Sequence, residues 1–379
     1  MTKRLLLVCF PDNIHIYNIV RNVLLYSSME ITMYSMDGPR SCIRKEYLDF
    51  YINNNIRVID GVELKKGGAV SYVFYAYKEI KKLGEFDFVH LHYVSHYLAP
   101  VLYLLRRNFS KVLLSFWGSD VRRINSFKRL LDMPLIRRAD SIMFVNEDMK
   151  KAFLSSFKGV NNKEPVIRLM GMGFMFTEGI DRLRGASDSD ILKMKEHFGV
   201  STSKKLIVLG YHGRHAMQQV KTLKSIVHSE QFPLNDVQFI VPAVGMRAED
   251  MYELTEISKS GVDVKIFDTF IPNDHLSEFR YIADVFINAQ ISDASSGSMI
   301  EYLYADVVVL NGGWLVYSSL DRRGIYHKVF PDFEALPVVL KDIIENFDQE
   351  KNAASKNHLI YGNTLSWEYK RPLWLSVYQ

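Results

Sequence analysis

Short, uninterrupted apolar runs recur along the whole chain, and helix-length amphipathic stretches separate them. In the first half the runs are Leu5–Phe10, Ile31–Tyr34, Ile56–Ile59, Phe88–Leu91, Val112–Phe116 and Ser141–Val145. A strand covered on both faces has no polar side to show, so it reads as a continuous apolar run and not as an alternation. Helices are expected in the gaps at Ile14–Tyr26, Ala69–Leu83, Tyr97–Arg107, Lys128–Arg137 and Glu147–Lys158. The repetition of strand, helix and strand predicts a parallel, doubly wound α/β sheet. It restarts with strands at Lys205–Gly210, Gln238–Pro242, Val264–Asp268, Asp284–Asn288 and Val307–Leu310. The helices expected there are Val220–His228, Ala248–Lys259, His275–Tyr281, Met299–Tyr304 and Leu336–Phe347.

A length of 379 residues accommodates two such units, each with its own core. The boundaries expected are 1–170 for the first Rossmann-like domain, 171–204 for an interdomain linker with a short helix, and 205–355 for the second domain. Residues 356–379 carry Trp367, Tyr369, Trp374 and Tyr378, too many aromatics for a disordered tail. A C-terminal helix is expected there, and a return to the first domain is one way to bury it. Tandem α/β units predict a ligand cleft between facing carboxyl edges. Two cysteines, Cys9 and Cys42, give no disulfide framework and no cysteine zinc site, which fits a reducing, cytoplasmic setting. The start Lys3-Arg4-Leu5-Leu6-Leu7-Val8-Cys9-Phe10 has too short an apolar core for a signal peptide and reads as a first strand. No apolar run approaches the ~20 residues that span a bilayer.

The segment Asp293 to Gly313, DASSGSMIEYLYADVVVLNGG, is the densest in chemistry. A strand precedes it, Ser295-Ser296-Gly297-Ser298 makes a small-residue turn, and a helix follows with Glu301 on it. A strand, a small-residue loop and a helix start place backbone N–H groups and the positive helix end against an anion, and a nearby carboxylate takes sugar hydroxyls. The second unit opens on another strand and Gly210-Tyr211-His212-Gly213-Arg214, where an arginine can clamp a phosphate with charge-assisted hydrogen bonds. An ordinary turn with a surface arginine would read the same way, but Arg214 and the Asp293–Glu301 segment both fall at strand ends of one domain.

Gly213-Arg214 early in the second unit, followed by carboxylates with seven residues between them at Asp293 and Glu301, resembles the GT-B glycosyltransferases, in particular the family 4-like group with its E-x7-E element. The resemblance implies a GT-B fold, two Rossmann-like doubly wound domains facing a central cleft, and sugar transfer from a nucleotide-diphosphate sugar. It implies that Arg214 binds the donor diphosphate, Glu301 the donor ribose, and Asp293 with the Ser296, Gly297 and Ser298 backbone the sugar and phosphates. Arg214, Lys221 and the helix end would stabilise the departing diphosphate without a metal, and the group retains anomeric configuration. The chain departs from the group in three places. Asp293 replaces the first glutamate, Gln219 or Val220 stands where a lysine is usual with Lys221 adjacent, and the glycine loop after the first strand is replaced by Pro11-Asp12-Asn13.

In the first half, His90-Leu91-His92-Tyr93-Val94-Ser95-His96 ends a strand and is similar to the group's HxH segment on the acceptor side. His92 and His96 are the expected acceptor contacts, with His92 placed among the catalytic residues beside Arg214 and Asp293. Buried structural histidines are the alternative, and no cysteine or acidic residue nearby completes a metal site. Ser115-Phe116-Trp117-Gly118-Ser119-Asp120 ends the next strand. Trp117 stands where the group often has a sugar-contacting histidine, so that role is not carried over; Trp117 and Asp120 remain acceptor-side candidates, with helix capping the favoured use of Asp120. Asp188-Ser189-Asp190 matches a metal-diphosphate DxD pattern, but it opens a helix with no strand before it, so capping is expected.

Between His96 and Arg138, nine Lys and Arg face two Asp, with Phe127, Leu130, Leu131 and Leu135 interleaved. The 106–138 region therefore fits docking on an anionic membrane surface, or a solvated face. No stacking platform or recognition motif points to nucleic acid. The acceptor expected is a glycan or lipid-linked oligosaccharide of bacterial surface polysaccharide or glycoconjugate synthesis, and no cofactor is expected. A nucleotide-sugar 2-epimerase and a non-catalytic GT-B subunit are the alternatives.

Overall fold

The computed structural model describes residues 2–36, 38–61, 68–122, 124–158, 160, 166–272, 275–293 and 296–379. Seven strands form the first sheet: β1 (Arg4–Cys9), β2 (Glu30–Ser35), β3 (Arg57–Ile59), β4 (Phe86–His92), β5 (Phe109–Phe116), β6 (Ser141–Phe144) and β7 (Val166–Leu169). Their order is β3-β2-β1-β4-β5-β6-β7, and every pairing is parallel. Six more form the second: β8 (Lys205–Leu209), β9 (Val237–Pro242), β10 (Val264–Phe267), β11 (Val285–Asn288), β12 (Val308–Gly312) and β13 (Lys328–Phe330). Their order is β10-β9-β8-β11-β12-β13, again all parallel. The strands expected from continuous apolar runs are all present, because Leu5 to Cys9, Ile207 or Val308 are 0% exposed and have no solvent side to mark.

Two strands lack that signal. β7 and β13 lie at sheet edges, are only four and three residues long, and keep Val166 and Val329 half in solvent. The helix Lys45–Asn53 is likewise absent from the apolar pattern, since its buried face is two tyrosines, Tyr47 and Tyr51.

The chain divides into Met1–Gly173 with Ser366–Gln379, and Phe174–Leu365. Of the stretch expected as a linker, 171–204, the first three residues stay with the first unit and the rest, from Phe174, is part of the second. It holds two helices, Phe176–Leu183 and Asp188–His197, and buries Phe176, Ile180, Met194, Phe198 and Val200 with Leu206 and Phe286. Ser187 caps the second of these and Asp190 completes the capping box, so the DxD pattern is spent on a helix start. Residues 356–365 also stay with the second unit; the tail of the first unit begins at Ser366.

That tail is the helix Trp367–Leu375 and a final turn, Ser376–Tyr378. Trp374 Nε1 donates to the Gly171 carbonyl at 3.1 Å, and Arg371 Nε to the Asn22 carbonyl at 2.6 Å. The Tyr378 hydroxyl reaches His90 Nδ1 at 2.7 Å. Gly173 is required here: a Cβ would stand 2.4 Å from the Trp367 ring.

Candidate functional site

In each sheet the strand order reverses once, between β1 and β4 and between β8 and β11. Connections leave such neighbours in opposite directions, so a crevice opens beyond their carboxyl ends, the usual ligand position of an open α/β sheet.

Beyond β8, Gly210 takes a left-handed conformation at φ +64° and turns the chain across the sheet edge. Gly213 follows, held by its N–H to the Val244 carbonyl at 2.9 Å; a Cβ there would lie 2.3 Å from the Ala243 carbonyl oxygen. The second glycine thus serves the approach of the β9 loop. It presents Arg214 outward, and among the described residues no carboxylate pairs with its guanidinium. That charge reaches its neighbours. It adds to burial in lowering the His212 pKa, and it opposes burial at Tyr211.

Arg214 and Lys221 line one hollow of about 130 Å³ with Gln218 and Asp250. Lys221 Nζ stands 4.1 Å from the Phe333 ring centroid. Gln219, one of the two residues at the position where a lysine is usual, is buried. Its amide donates to the Leu209 and Pro242 carbonyls at 2.7 and 2.8 Å, which clips the ends of β8 and β9 together.

Beyond β11 the chain runs Ala289, Gln290, Ile291, Ser292, Asp293 and then, at Ser296, into the helix Gly297–Tyr304. Ser295 lies outside the described residues. The Ser296 hydroxyl accepts the Met299 N–H at 3.2 Å. The first-turn N–H groups of Gly297 and Ser298 stand at the positive end of the helix dipole, with no protein partner among the described residues. The two loops are tied by Gln218 Nε2 to the Ala289 carbonyl at 2.6 Å and by the Ile291 N–H to the Ala216 carbonyl at 2.9 Å.

The two carboxylates are held differently. Asp293 Oδ2 accepts the Ser296 N–H at 2.7 Å and the Tyr317 hydroxyl at 2.5 Å. Tyr317 in turn accepts from Asn288 Nδ2 at 2.9 Å, and that amide also donates to Asn311. Burial and the Asp293 charge push the Tyr317 phenol far up, so it stays a donor to the carboxylate. Glu301 Oε2 accepts from Arg280 Nε at 2.9 Å, with the Arg280 residue 5% exposed. Burial opposes the guanidinium charge, but Tyr302 and Glu301 outweigh it and hold the group protonated.

Tyr211 joins the parts. Its hydroxyl donates to Gln290 Oε1 at 3.4 Å, it also meets Ser296, and it lies in the fields of both Asp293 and Arg214. Arg214, Asp293, Ser296 and Tyr211 are therefore brought to one edge. Tyr211, Gln290, Arg280 and Tyr317 carried no signal of their own in the sequence. Only the place of Tyr211 and Gln290, just after apolar runs, could have marked them.

At the first sheet's edge the expected residues are close but enclosed. His90 and His92 are both 0% exposed, with ring centroids 3.9 Å apart. His90 Nε2 bonds Ser115 Oγ at 2.8 Å, a structural use. His92 lies between Trp117 and Trp374, at 5.8 and 6.3 Å, and neither ring nitrogen has a partner among the described residues. Burial depresses its pKa to about 3, so the ring is neutral. Trp117 stacks on His15 at 5.5 Å and on Tyr93 at 5.4 Å.

Asp120 does not cap its helix start in the usual way. It reaches back to the N–H groups of Trp117, Gly118 and Val94 and so ties the β4 and β5 loops together. Burial raises it to about 6, against those same hydrogen bonds. His96 is half-buried against the Tyr97 ring at 4.1 Å. Among the described residues no group of three His, Cys, Asp or Glu is placed to hold a metal.

In the 106–138 region Phe127 and Leu130 are 68% and 69% exposed, whereas Leu135 is core. Arg123 and the side chain of Arg122 lie outside the described residues. No helix among the described residues is long and apolar enough to cross a membrane.

Residues 4–146 match the family model described as "Glycosyl transferase 4-like". No curated protein matches the chain by sequence. The chain is similar in structure to a glycosyltransferase from Rickettsia africae ESF-5, at a TM-score of 0.72 and 16% identity over 100% of this chain and 98% of that one. It is similar to Anabaena Alr3699/HepE, solved in complex with UDP, at 0.72 and 13% over 99% of each. Sucrose-phosphate synthase from Thermosynechococcus elongatus gives 0.69 and 12% over 99% and 98%. The chain has the GT-B fold of these structures, and its residues 4–146 match the glycosyl transferase 4-like family.

Proposed function

We propose that the protein transfers a sugar from a nucleotide-diphosphate donor held at the carboxyl edge of the second sheet. The observation that carries this reading is that Arg214, with no carboxylate partner among the described residues, lies on a loop tied to the one that leads into the helix start at Gly297 and Ser298. When the bond from the anomeric carbon to the donor diphosphate breaks, the electron pair leaves with the diphosphate, and a further negative charge develops on its departing oxygen. Fixed donors aimed at developing charge are the largest common source of catalysis. Arg214, Lys221 and the helix end supply such charge from the chain itself, so turnover is expected to survive EDTA. Uridine diphosphate sugars are the first donors to test, because HepE has been solved with UDP and with UDP-glucose.

Glu301 is assigned to the ribose through the oxygen not engaged by Arg280, and Asp293 to the transferred sugar. Retention of configuration follows from the family resemblance. On the acceptor side, His96, Trp117 and Asp120 are assigned to a glycan or lipid-linked acceptor of surface polysaccharide or glycoconjugate synthesis, whereas His92, 0% exposed between Trp117 and Trp374, is not placed to touch a substrate as expected from the sequence. Exposed Phe127 and Leu130 beside Lys128 and Arg129 support docking on an anionic cytoplasmic membrane face.

Calorimetry with UDP, GDP, ADP, CMP and dTDP, with and without EDTA, tests the reading. Binding of none of them by the wild-type protein would sink it. One observation favours a non-catalytic subunit, the closed packing of His92. That alternative predicts nucleotide binding with no donor turnover.

A further inference from the structure

Gln290 follows β11 and precedes Asp293 by three residues. Its main chain is fixed: the carbonyl accepts from Trp314 Nε1 at 2.8 Å. Its side chain is fixed as well, with Oε1 accepting from the Tyr211 hydroxyl at 3.4 Å. The residue is 4% exposed, yet its Nε2 has no hydrogen-bond partner among the described residues. A buried amide donor left unmade costs the full desolvation of the group, so native proteins keep few of them without a use.

The setting indicates the use. Other amides at this edge are satisfied: Gln218 bonds the Ala289 carbonyl, Gln219 bonds two carbonyls, and Asn288 bonds Asn311 and Tyr317. Only Gln290, among these four, keeps a donor in reserve. It lies on Tyr211, which also meets Ser296 and stands in the fields of Asp293 and Arg214. The diphosphate has cationic partners in Arg214 and the helix end. A neutral amide donor near a carboxylate suits a different group, the hydroxyl, which accepts one hydrogen bond while donating another.

We propose that Gln290, braced by Tyr211, is a specificity-determining residue that donates through Nε2 to a hydroxyl or ring oxygen of the transferred sugar. The proposal rests on the nucleotide-sugar reading above. It assigns Gln290 to the sugar and not to the nucleotide. A site built to hydrogen-bond a substrate oxygen discriminates strongly, because loss of the oxygen leaves the protein group unpaired.

The test is calorimetry on the full chain with free UDP, GDP, ADP and dTDP and with UDP-glucose, UDP-galactose, UDP-N-acetylglucosamine, GDP-mannose, ADP-glucose and dTDP-rhamnose. The wild type identifies the best diphosphate and nucleotide-sugar pair. Gln290→Met keeps the volume and removes the donor; Tyr211→Phe removes the brace. For Gln290→Met we expect free diphosphate affinity within twofold of wild type and nucleotide-sugar affinity lower by about tenfold to a hundredfold. Tyr211→Phe should lose less, in the same direction. Equal losses on both ligands, or no loss on the nucleotide sugar, overturn the assignment. Should Gln290→Met unfold, Tyr211→Phe and Gln290→Glu decide it by the same comparison of ligands. A wild type that binds no nucleotide at all overturns the donor reading itself, and this inference with it.

Discussion

At the reversal of strand order in the first unit, between β1 and β4, the crevice is filled with rings. His90, His92, Trp117 and Trp374 stack there, and both histidines are held neutral by burial. At the equivalent reversal in the second unit, between β8 and β11, the edge keeps its polar groups open. It has an exposed guanidinium at Arg214, an open helix end at Gly297 and Ser298, and an unused amide at Gln290. Topology places both crevices alike. The first is closed by stacked neutral rings, whereas the second presents at Arg214 a guanidinium with no carboxylate partner among the described residues. Fold position alone therefore does not single out a candidate donor site; unspent charge and unspent donors are what distinguish the two edges.

The largest effect expected bears on how the open edge is held together. Glu301→Ala removes the partner of buried Arg280 and should destabilise the protein by about 3–5 kcal/mol in urea unfolding. Glu301→Gln keeps a hydrogen-bond acceptor and is the variant that reads ribose binding. If Glu301→Ala unfolds at the wild-type midpoint, the pair does not support the helix.

Next, Arg214→Ala should lower kcat by about 10²–10³, the cost of losing one group aimed at developing charge. The unfolding midpoint should not move, since the side chain is exposed. A wild-type rate with a measured donor would remove the contrast between the two crevices.

The third effect concerns the closed unit. Asp132, on the helix Ser126–Arg138, is 1% exposed, and neither oxygen has a partner among the described residues. Burial, then the nearby Asp120 charge, pushes its carboxyl up to about 7, against Lys128. The folded protein thus holds this proton to a higher pH than the unfolded chain does. The stability linked to it is full below about 4 and is lost as pH rises towards 7. Asp132→Asn should flatten that dependence and, at pH 8, stabilise the protein by about 1–3 kcal/mol. Parallel pH profiles for wild type and variant would contradict this account.

The smallest effect tests the outer face of the same helix. Phe127→Ser with Leu130→Ser should weaken binding to anionic liposomes by about 1–2 kcal/mol, and salt should weaken wild-type binding further. Equal binding to neutral liposomes would leave the basic residues without that role.

Much of the fold is legible in the order of the residues. Runs such as Leu5–Phe10 and Val307–Leu310 locate strands because burial on both faces removes polar residues from the pattern. The placement of the candidate residues is legible too: Arg214 and Asp293–Glu301 fall just past strands that are neighbours in the sheet, β8 and β11. The linker is not. Residues 171–204 are rich in Gly, Ser and charge, but the spaced Phe176, Ile180, Met194 and Phe198 turn to one core and bind the stretch from Phe174 onward into the second unit. β7 and β13 escape because an edge strand is half wet and needs no continuous apolar run.

The alternation of elements, the two parallel sheets and the strand ends that carry the candidate residues can be read from the order of residues, since periodicity is a property of neighbours along the chain. How each polar group is spent depends on contacts between distant segments. Asp293 meets Tyr317, Glu301 meets Arg280, and His90 meets Tyr378 from the far end of the chain. Gln219 and Gln290, alike in composition, end with two partners for one amide nitrogen and none for the other. Hydrogen bonds act over about 3 Å and only in certain directions. Their pairing is therefore settled by which distant segments the sheet brings together, and no local pattern encodes it.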